Sequence, residues 1–457
     1  MARHVLHCAL FKRLSYCIRF NQLEDIVLPS SIPIPLPGGL HGPLPRFLCV
    51  GQQFSTDTVA SIDATLANDL QKFKHINLEG KNIAIGVGSR GIKQQPLVVK
   101  ALIRELLVVG AEPFIVPAMG SHGGGSAEGQ AQVLASYGIT EDTMGAPVKA
   151  TMEVVELCKL EDGTAIYCDR LAHEADFIIA CNRVKPHTSF RGPYESGLMK
   201  MLAIGLGKHE GATALHFNGF AQFHNLIPAA GKAFIENTNI LFGVAMVENS
   251  EENLQHLELV AANDFVTREP ALLEIARTSI PQLLFEDIDV LVIDEIGKNI
   301  SGAGLDPNVT GRAGSREPGF ERKHPIGRIV VRDLTDETEG NATGIGMSDV
   351  TTQHVVGKMD WSKTYLNMVT AGALDGGKLP IVADMDRDAI GIAIRGCPGV
   401  NSELANIVRV KNTLEMTKVW ASETLLSEIE ENPRLEVLSD PFDCRFDNGG
   451  TLMGTVY

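Results

Sequence analysis

Apolar and polar positions alternate along this chain in two different periods, and the switches between them mark out its elements. Short β-branched runs read as buried strands: NIAIGV at 82–87, PFIVPA at 113–118, ADFIIAC at 175–181 and ILFGVAMVE from 240. Between the first two, QQPLVVKALIRELLVVG places Val98, Leu102 and Leu106 on one helical face, with Pro96 in the first turn and Gly110 as the stop. After the second, GSHGGGSAEGQAQVLASYG reads as a Gly-rich loop leading into a helix. Strand, helix, strand, Gly loop, helix is the rhythm of a parallel sheet, whose functional loops lie at the carboxyl ends of its strands. MEVVELCKLEDGTAIYCD predicts a hairpin turning at Glu161-Asp162-Gly163, and a further helix is expected near 268–278.

A second unit opens at DVLVIDEIGKNISGAG, 289–304, again a strand followed by a Gly-rich loop. Residues 305–327, rich in Gly, Arg and Pro, read as a long functional loop, and SETLLSEIEENP as the last clear helix. A chain of 457 residues exceeds one compact core. The expected architecture is α/β in two domains: an N-terminal parallel-sheet, Rossmann-like domain over 46–285 and a smaller C-terminal α/β domain over 286–457, with the active site in the interdomain cleft. Residues 1–45, with Arg3, Lys12, Arg13, Arg19 and the Pro-rich PSSIPIPLPGG, read as a poorly ordered N-terminal extension.

Composition narrows the functional classes. With 40 Lys and Arg against 56 Asp and Glu, the net charge is −16, which repels nucleic acid and anionic membranes. No apolar run approaches the roughly 18 residues of a membrane span. The 8 cysteines include no C-x-x-C pair, a usage that suits reduced thiols in a cytoplasmic protein.

Gly86-Val87-Gly88-Ser89-Arg90-Gly91 fits the dinucleotide-binding pattern G-x-G-x-x-G between a strand and a helix. The acid that should bind the ribose belongs at the far end of the next strand, whereas Glu112 precedes that strand. An NAD(P)-dependent 2-hydroxy acid dehydrogenase using loop 86–91 therefore stays an alternative, as does a non-catalytic binding protein. The loop also offers Arg90 as an anion clamp. His122 and His187 each follow a strand, where parallel-sheet sites form. Lys200, flanked by Met199, Met201, Leu202 and Ile204, reads either as a snorkelling lysine or as a desolvated amine fit for covalent chemistry. The Gly123-Gly124-Gly125-Ser126 turn can receive an anion or simply start a helix with Ser126 as its cap.

Taken together, GSR after the first strand, GSHGGGSAE after the second, KPH through SGLMK after a later one and DEIGK at the second unit resemble the nickel-dependent lactate racemase family, in order over about 83–300. The separation of Lys200 from His216 also matches that family's spacing. The resemblance implies that Lys200 carries a nickel-pincer nucleotide (pyridinium-3,5-bisthiocarboxylic acid mononucleotide nickel) through a thioamide-type bond, and that His216 ligates the nickel. Ser89, Gly124 and Ser126 would contact the cofactor. His122 and His187 would be the acid/base pair. Arg90, Lys298 and Glu295 would bind a small 2-hydroxy acid substrate, and proteins that make the cofactor are candidate partners. The family loop Asp-x-Thr-Arg here reads Val87-Gly88-Ser89-Arg90, RGPYE lengthens the stretch between His187 and Lys200, and Glu295 stands where glutamine is usual.

Overall fold

The computed structural model describes residues 29, 31–88 and 93–456. The strands β1 (Phe47–Gln52), β2 (Asn82–Val87), β3 (Glu112–Pro117), β4 (Val154–Lys159), β5 (Ala165–Asp169), β6 (Phe177–Arg183), β7 (Ile240–Glu248) and β8 (Leu254–Ala261) come first. After them run β9 (Val290–Ile293), β10 (Arg328–Val331), β11 (Val350–Thr352), β12 (Ile381–Ala383), β13 (Ile407–Val410), β14 (Lys418–Ser422) and β15 (Leu435–Val437). The fold is a mixed α/β arrangement of two large sheets with helices packed on both, and a separate two-stranded sheet, β4–β5.

The first sheet has the order β3-β2-β6-β7-β8, parallel except for its antiparallel edge β8. The chain winds outward from β2 to β3 and then returns to β6 on the other side of β2. That reversal opens a crevice beyond the carboxyl ends of β2 and β6, the usual ligand position in such sheets. The helix Gln95–Val108 covers one face, burying Val98, Leu102 and Leu106 with Pro96 in its first turn. It stops at Gly110, whose φ of +79° suits glycine. Ala84, on the opposite face of β2, packs with Leu202, Leu206, Ile227 and Phe234. The β4–β5 hairpin turns where expected, with Gly163 at φ +86°.

The second sheet has the order β12-β11-β10-β9-β13-β14-β1-β15. From β12 to β13 it is parallel, and β14, β1 and β15 add antiparallel strands. Its order reverses between β9 and β13, creating a second crevice.

Two expectations need correction. β1 opens the segment 46–285, yet it lies between β14 and β15, with Val50 opposite both Val419 and Val437. Leu48 and Val50 pack on one core and Phe47 on another, so both faces of β1 are covered and no alternation indicates which sheet it joins. Of the extension 1–45, residues 1–28 and 30 lie outside the described residues, but the remainder is held against the second sheet. The Ile32 amide and Ser31 hydroxyl donate to Asp384 at 2.9 and 2.8 Å, and Arg395 donates to the Pro37 carbonyl at 3.1 Å.

Candidate functional site

The segment bearing Lys200 is built as a break in helical regularity. The short helix Leu198–Lys200 runs directly into one wide π-turn, Met201–Gly205, before the helix Lys208–His216. Such turns concentrate at functional sites because they re-aim side chains at the cost of backbone geometry. Two glycines of the G-x-G-x-x-G stretch make room for this segment. A Cβ on Gly86 would lie 3.1 Å from Leu206 Cδ2, and one on Gly88 would lie 3.4 Å from Met201 Cε and 3.0 Å from Asn182 Oδ1. Close packing against Leu206 and Ala118 at Gly86, and against Asn182 at Gly88, thus leaves little room for a side chain at either position. At the start of the segment, the buried Glu269 accepts the Met199 amide at 2.8 Å, and burial pushes its carboxyl up to about 8.

Three of the sequence-predicted residues meet on one aromatic cluster. The Lys200 ammonium lies 5.9 Å from the Phe190 ring centre. The His187 ring lies 4.5 Å from Phe190 and 6.1 Å from Phe220, and the His216 ring lies 5.6 Å from Phe220 and 5.0 Å from Phe223. His216 is exposed on its outer side, but loss of hydration against the phenyl rings, followed by the charge of Lys200, pushes its pKa down to about 4. At neutral pH it is an uncharged imidazole. His187 Nδ1 accepts the Ser189 amide at 3.0 Å, an arrangement that keeps the ring proton on Nε2.

Two more predicted residues, His122 and Lys298, line a cavity of about 560 Å³ between the domains. The first sheet contributes Arg183 and Lys185 from the exit of β6 and Glu248 from the end of β7. The second contributes Asp306 and Thr413, from loops that follow β9 and β13. The cavity thus joins the crevices at the two order reversals. Lys298 is exposed and donates from Nζ to the Gly302 carbonyl at 2.6 Å.

The Gly-rich loop is held from beneath. Gly123, Gly124 and Gly125 all have positive φ, and a Cβ on Gly123 would lie 2.6 Å from the Gln130 nitrogen. Ser126 caps the helix Ala127–Ser136, its Oγ accepting the Gly129 amide at 3.1 Å. Gln130 donates to the carbonyls of Gly120 and His122 at 2.7 and 3.3 Å. Lys208, fully buried, bonds Gln130 Oε1 at 3.0 Å and the Pro117 carbonyl at 2.5 Å, and pairs with buried Asp169 at 3.0 Å. Lys208, Gln130 and Asp169 were missed at the sequence level; the lysine in GLGKH was the one visible sign.

The other predicted residues fall differently. Glu295 is not among the residues lining the cavity; its carboxylate accepts from Asn412 at 3.2 Å, and burial raises its pKa. Ser89 and Arg90 lie outside the described residues. Among the described residues no cluster of three or more His, Cys, Asp or Glu could hold a metal by itself, and no helix is long and apolar enough to cross a membrane.

Fold and site together define a two-domain α/β protein with a polar cleft between its sheets and a lysine–imidazole pair on an aromatic cluster. A family model described as a domain of unknown function (DUF362) matches residues 82–273. Among solved structures the chain is similar to the lactate racemase apoprotein from Thermoanaerobacterium thermosaccharolyticum, at 16% identity and TM-score 0.45, over 79% of this chain and 84% of that one. Comparison with curated proteins gives no match. Similarity at this level leaves the function to be argued from the residues.

Proposed function

We propose that the protein is an isomerase that racemises or epimerises a 2-hydroxy acid with a lysine-tethered nickel-pincer nucleotide. The observation that carries this reading is the convergence of Lys200, His187 and His216 on Phe190, Phe220 and Phe223. The donor set fits the cofactor: an amine able to form the tether stands near an imidazole that is kept neutral, as a metal ligand must be, chiefly by loss of hydration and secondly by the charge of that amine. Lys200 would hold the nucleotide, and His216 would complete the coordination of nickel. When bound, the group supplies a hydride acceptor for the hydrogen on C2 of the substrate.

The chain's own residues supply the rest. Inversion through a planar 2-oxo acid needs a proton acceptor for the hydroxyl of each enantiomer, a task that suits two histidines on separate loops, His122 and His187. His187 can take up a second proton only when the Ser189 amide turns away from Nδ1. Lys298 and Arg90 would fix the carboxylate, one as a point charge and the other as a bidentate fork.

The test is intact mass and peptide mapping of protein made in a host that produces the cofactor, together with optical rotation of a panel of 2-hydroxy acids. Lys200→Ala should lose both adduct and turnover, and His216→Ala should keep the adduct but lose nickel. Turnover by Lys200→Ala would defeat the reading.

A further inference from the structure

The loop between His187 and Lys200 ties the two domains together, chiefly through Arg191. Glu195 is fully buried, and its carboxylate gathers the His187 amide at 2.7 Å, the Gly192 amide at 3.2 Å, Arg191 at 3.3 Å and Arg277 at 2.7 Å. It fixes the loop inside the first domain. Arg191 reaches outward from that anchor. Its guanidinium sits 3.9 Å from the ring centre of Phe320, its Nε donates to the Gly319 carbonyl at 3.0 Å, and its Nη1 donates to the His187 carbonyl at 3.4 Å. Asn308, also from the second domain, donates to the same His187 carbonyl at 3.4 Å.

The receiving side is shaped for this contact. Gly319 has φ +91°, and a Cβ there would lie 2.9 Å from Arg191 Cγ, so a larger residue would be strained and would also strike the arginine stem. The loop being gripped contains Ser189, whose amide occupies His187 Nδ1.

We propose that Arg191 is a positioning residue through which the second domain sets the His187 loop, and with it the Ser189 contact that decides which nitrogen of His187 holds the proton. The catalytic meaning of this link rests on reading His187 as an acid/base group, but the link itself is measurable without turnover. A planar fork is required, because one group must stack on Phe320 while bonding carbonyls in both domains.

The experiment is carbethoxylation of the full chain by diethyl pyrocarbonate, with His187 followed by peptide mass spectrometry. Exposed His173 and His209 serve as internal controls, and thermal midpoints are recorded. Arg191→Met and Phe320→Ala should each speed modification of His187 by about fivefold or more, and the double variant should be no faster than the singles, because residues in one link are non-additive. Arg191→Lys should behave like Arg191→Met, and the controls should not change. Phe320→Ala leaves the Glu195 bonds in place, so it gives an answer even if Arg191→Met does not fold. An unchanged His187 rate in Phe320→Ala, or a wild-type rate in Arg191→Lys, would overturn the proposal and make Arg191 a local partner of Glu195. Failure to turn over any hydroxy acid would bear on the proposed function and leave this result standing.

Discussion

Glu269→Gln offers a quantitative test of how the Lys200 segment is anchored. The Glu269 side chain is 1% exposed, and one carboxyl oxygen accepts the Met199 amide while the other has no hydrogen-bond partner among the described residues. That second oxygen lies over Gly197, where a Cβ would approach it to 2.2 Å. Burial lifts the carboxyl from 4.5 to about 8, so the folded protein holds this proton over a range in which the unfolded chain has released it. The folded-state pKa is the raised one. The stabilisation is therefore complete below about pH 4.5, falls as pH rises, and is gone above about 8. At about 1.4 kcal/mol per pH unit, the wild type loses roughly 4 to 5 kcal/mol across that window relative to a residue that does not titrate. Glutamine keeps the acceptor for Met199 but buries an unpaired amide, at a cost of about 1–3 kcal/mol. The variant should thus be the less stable protein at pH 5 and the more stable one at pH 8.5. Urea denaturation of both proteins from pH 5 to 9 measures the difference, in which all other titrations cancel. A difference that stays flat with pH would refute the argument.

Other outcomes follow from the same geometry. Lys208→Met strands the buried Asp169 carboxylate and should cost about 3–5 kcal/mol in urea denaturation, partly recovered in Lys208→Met/Asp169→Asn. Hydrogen exchange at 120–126 should rise in the single variant, because the lysine props Gln130 beneath that loop. Ser126→Ala should cost about 1 kcal/mol in thermal unfolding if the hydroxyl acts only as a helix cap; loss of the Lys200 adduct in this variant would add a cofactor role. Burial raises the thiol pKa of Cys168 and pushes that of Cys181 up to about 12, so an aromatic disulfide reagent at pH 8 should label them only in urea.

The four parallel strands of the first sheet were legible because doubly covered parallel strands are written as unbroken apolar runs, as in Ile83–Val87 and Phe114–Val116, whereas the antiparallel edge β8 was not read. The helix Gln95–Val108 was legible because its proline, apolar face and terminal glycine agree. β1 is equally apolar, but its pairing with β14 depends on residues more than 300 positions away, which no local pattern encodes. In the site, the histidines and Lys200 drew attention through their chemistry and position after strands. The phenyl rings that bring them together, Phe190, Phe220 and Phe223, did not, because an apolar ring carries no chemistry of its own to mark a site. Lys208 and Glu195 escaped for a related reason. A buried charge is recognised by its partners, and Lys208 finds its own 91 and 78 residues away in sequence.

The placement of β1 bears on how the cleft is assembled. The cavity takes Arg183, Lys185 and Glu248 from one sheet and Lys298, Asp306 and Thr413 from the other, so neither half alone forms it. The first crossing between the units, from β1 to the helix Ile62–Leu70, precedes everything in the first domain, and the return to β9 follows all of it. The first domain is in effect inserted into the second. Cutting the chain at 285 would therefore leave the C-terminal piece without the strand that joins β14 to β15, exposing the edges of both. Two chain crossings between rigid sheets restrict relative motion more than a single linker would. In that arrangement a short contact such as Arg191 on Phe320 can transmit the position of one domain to a histidine held by the other.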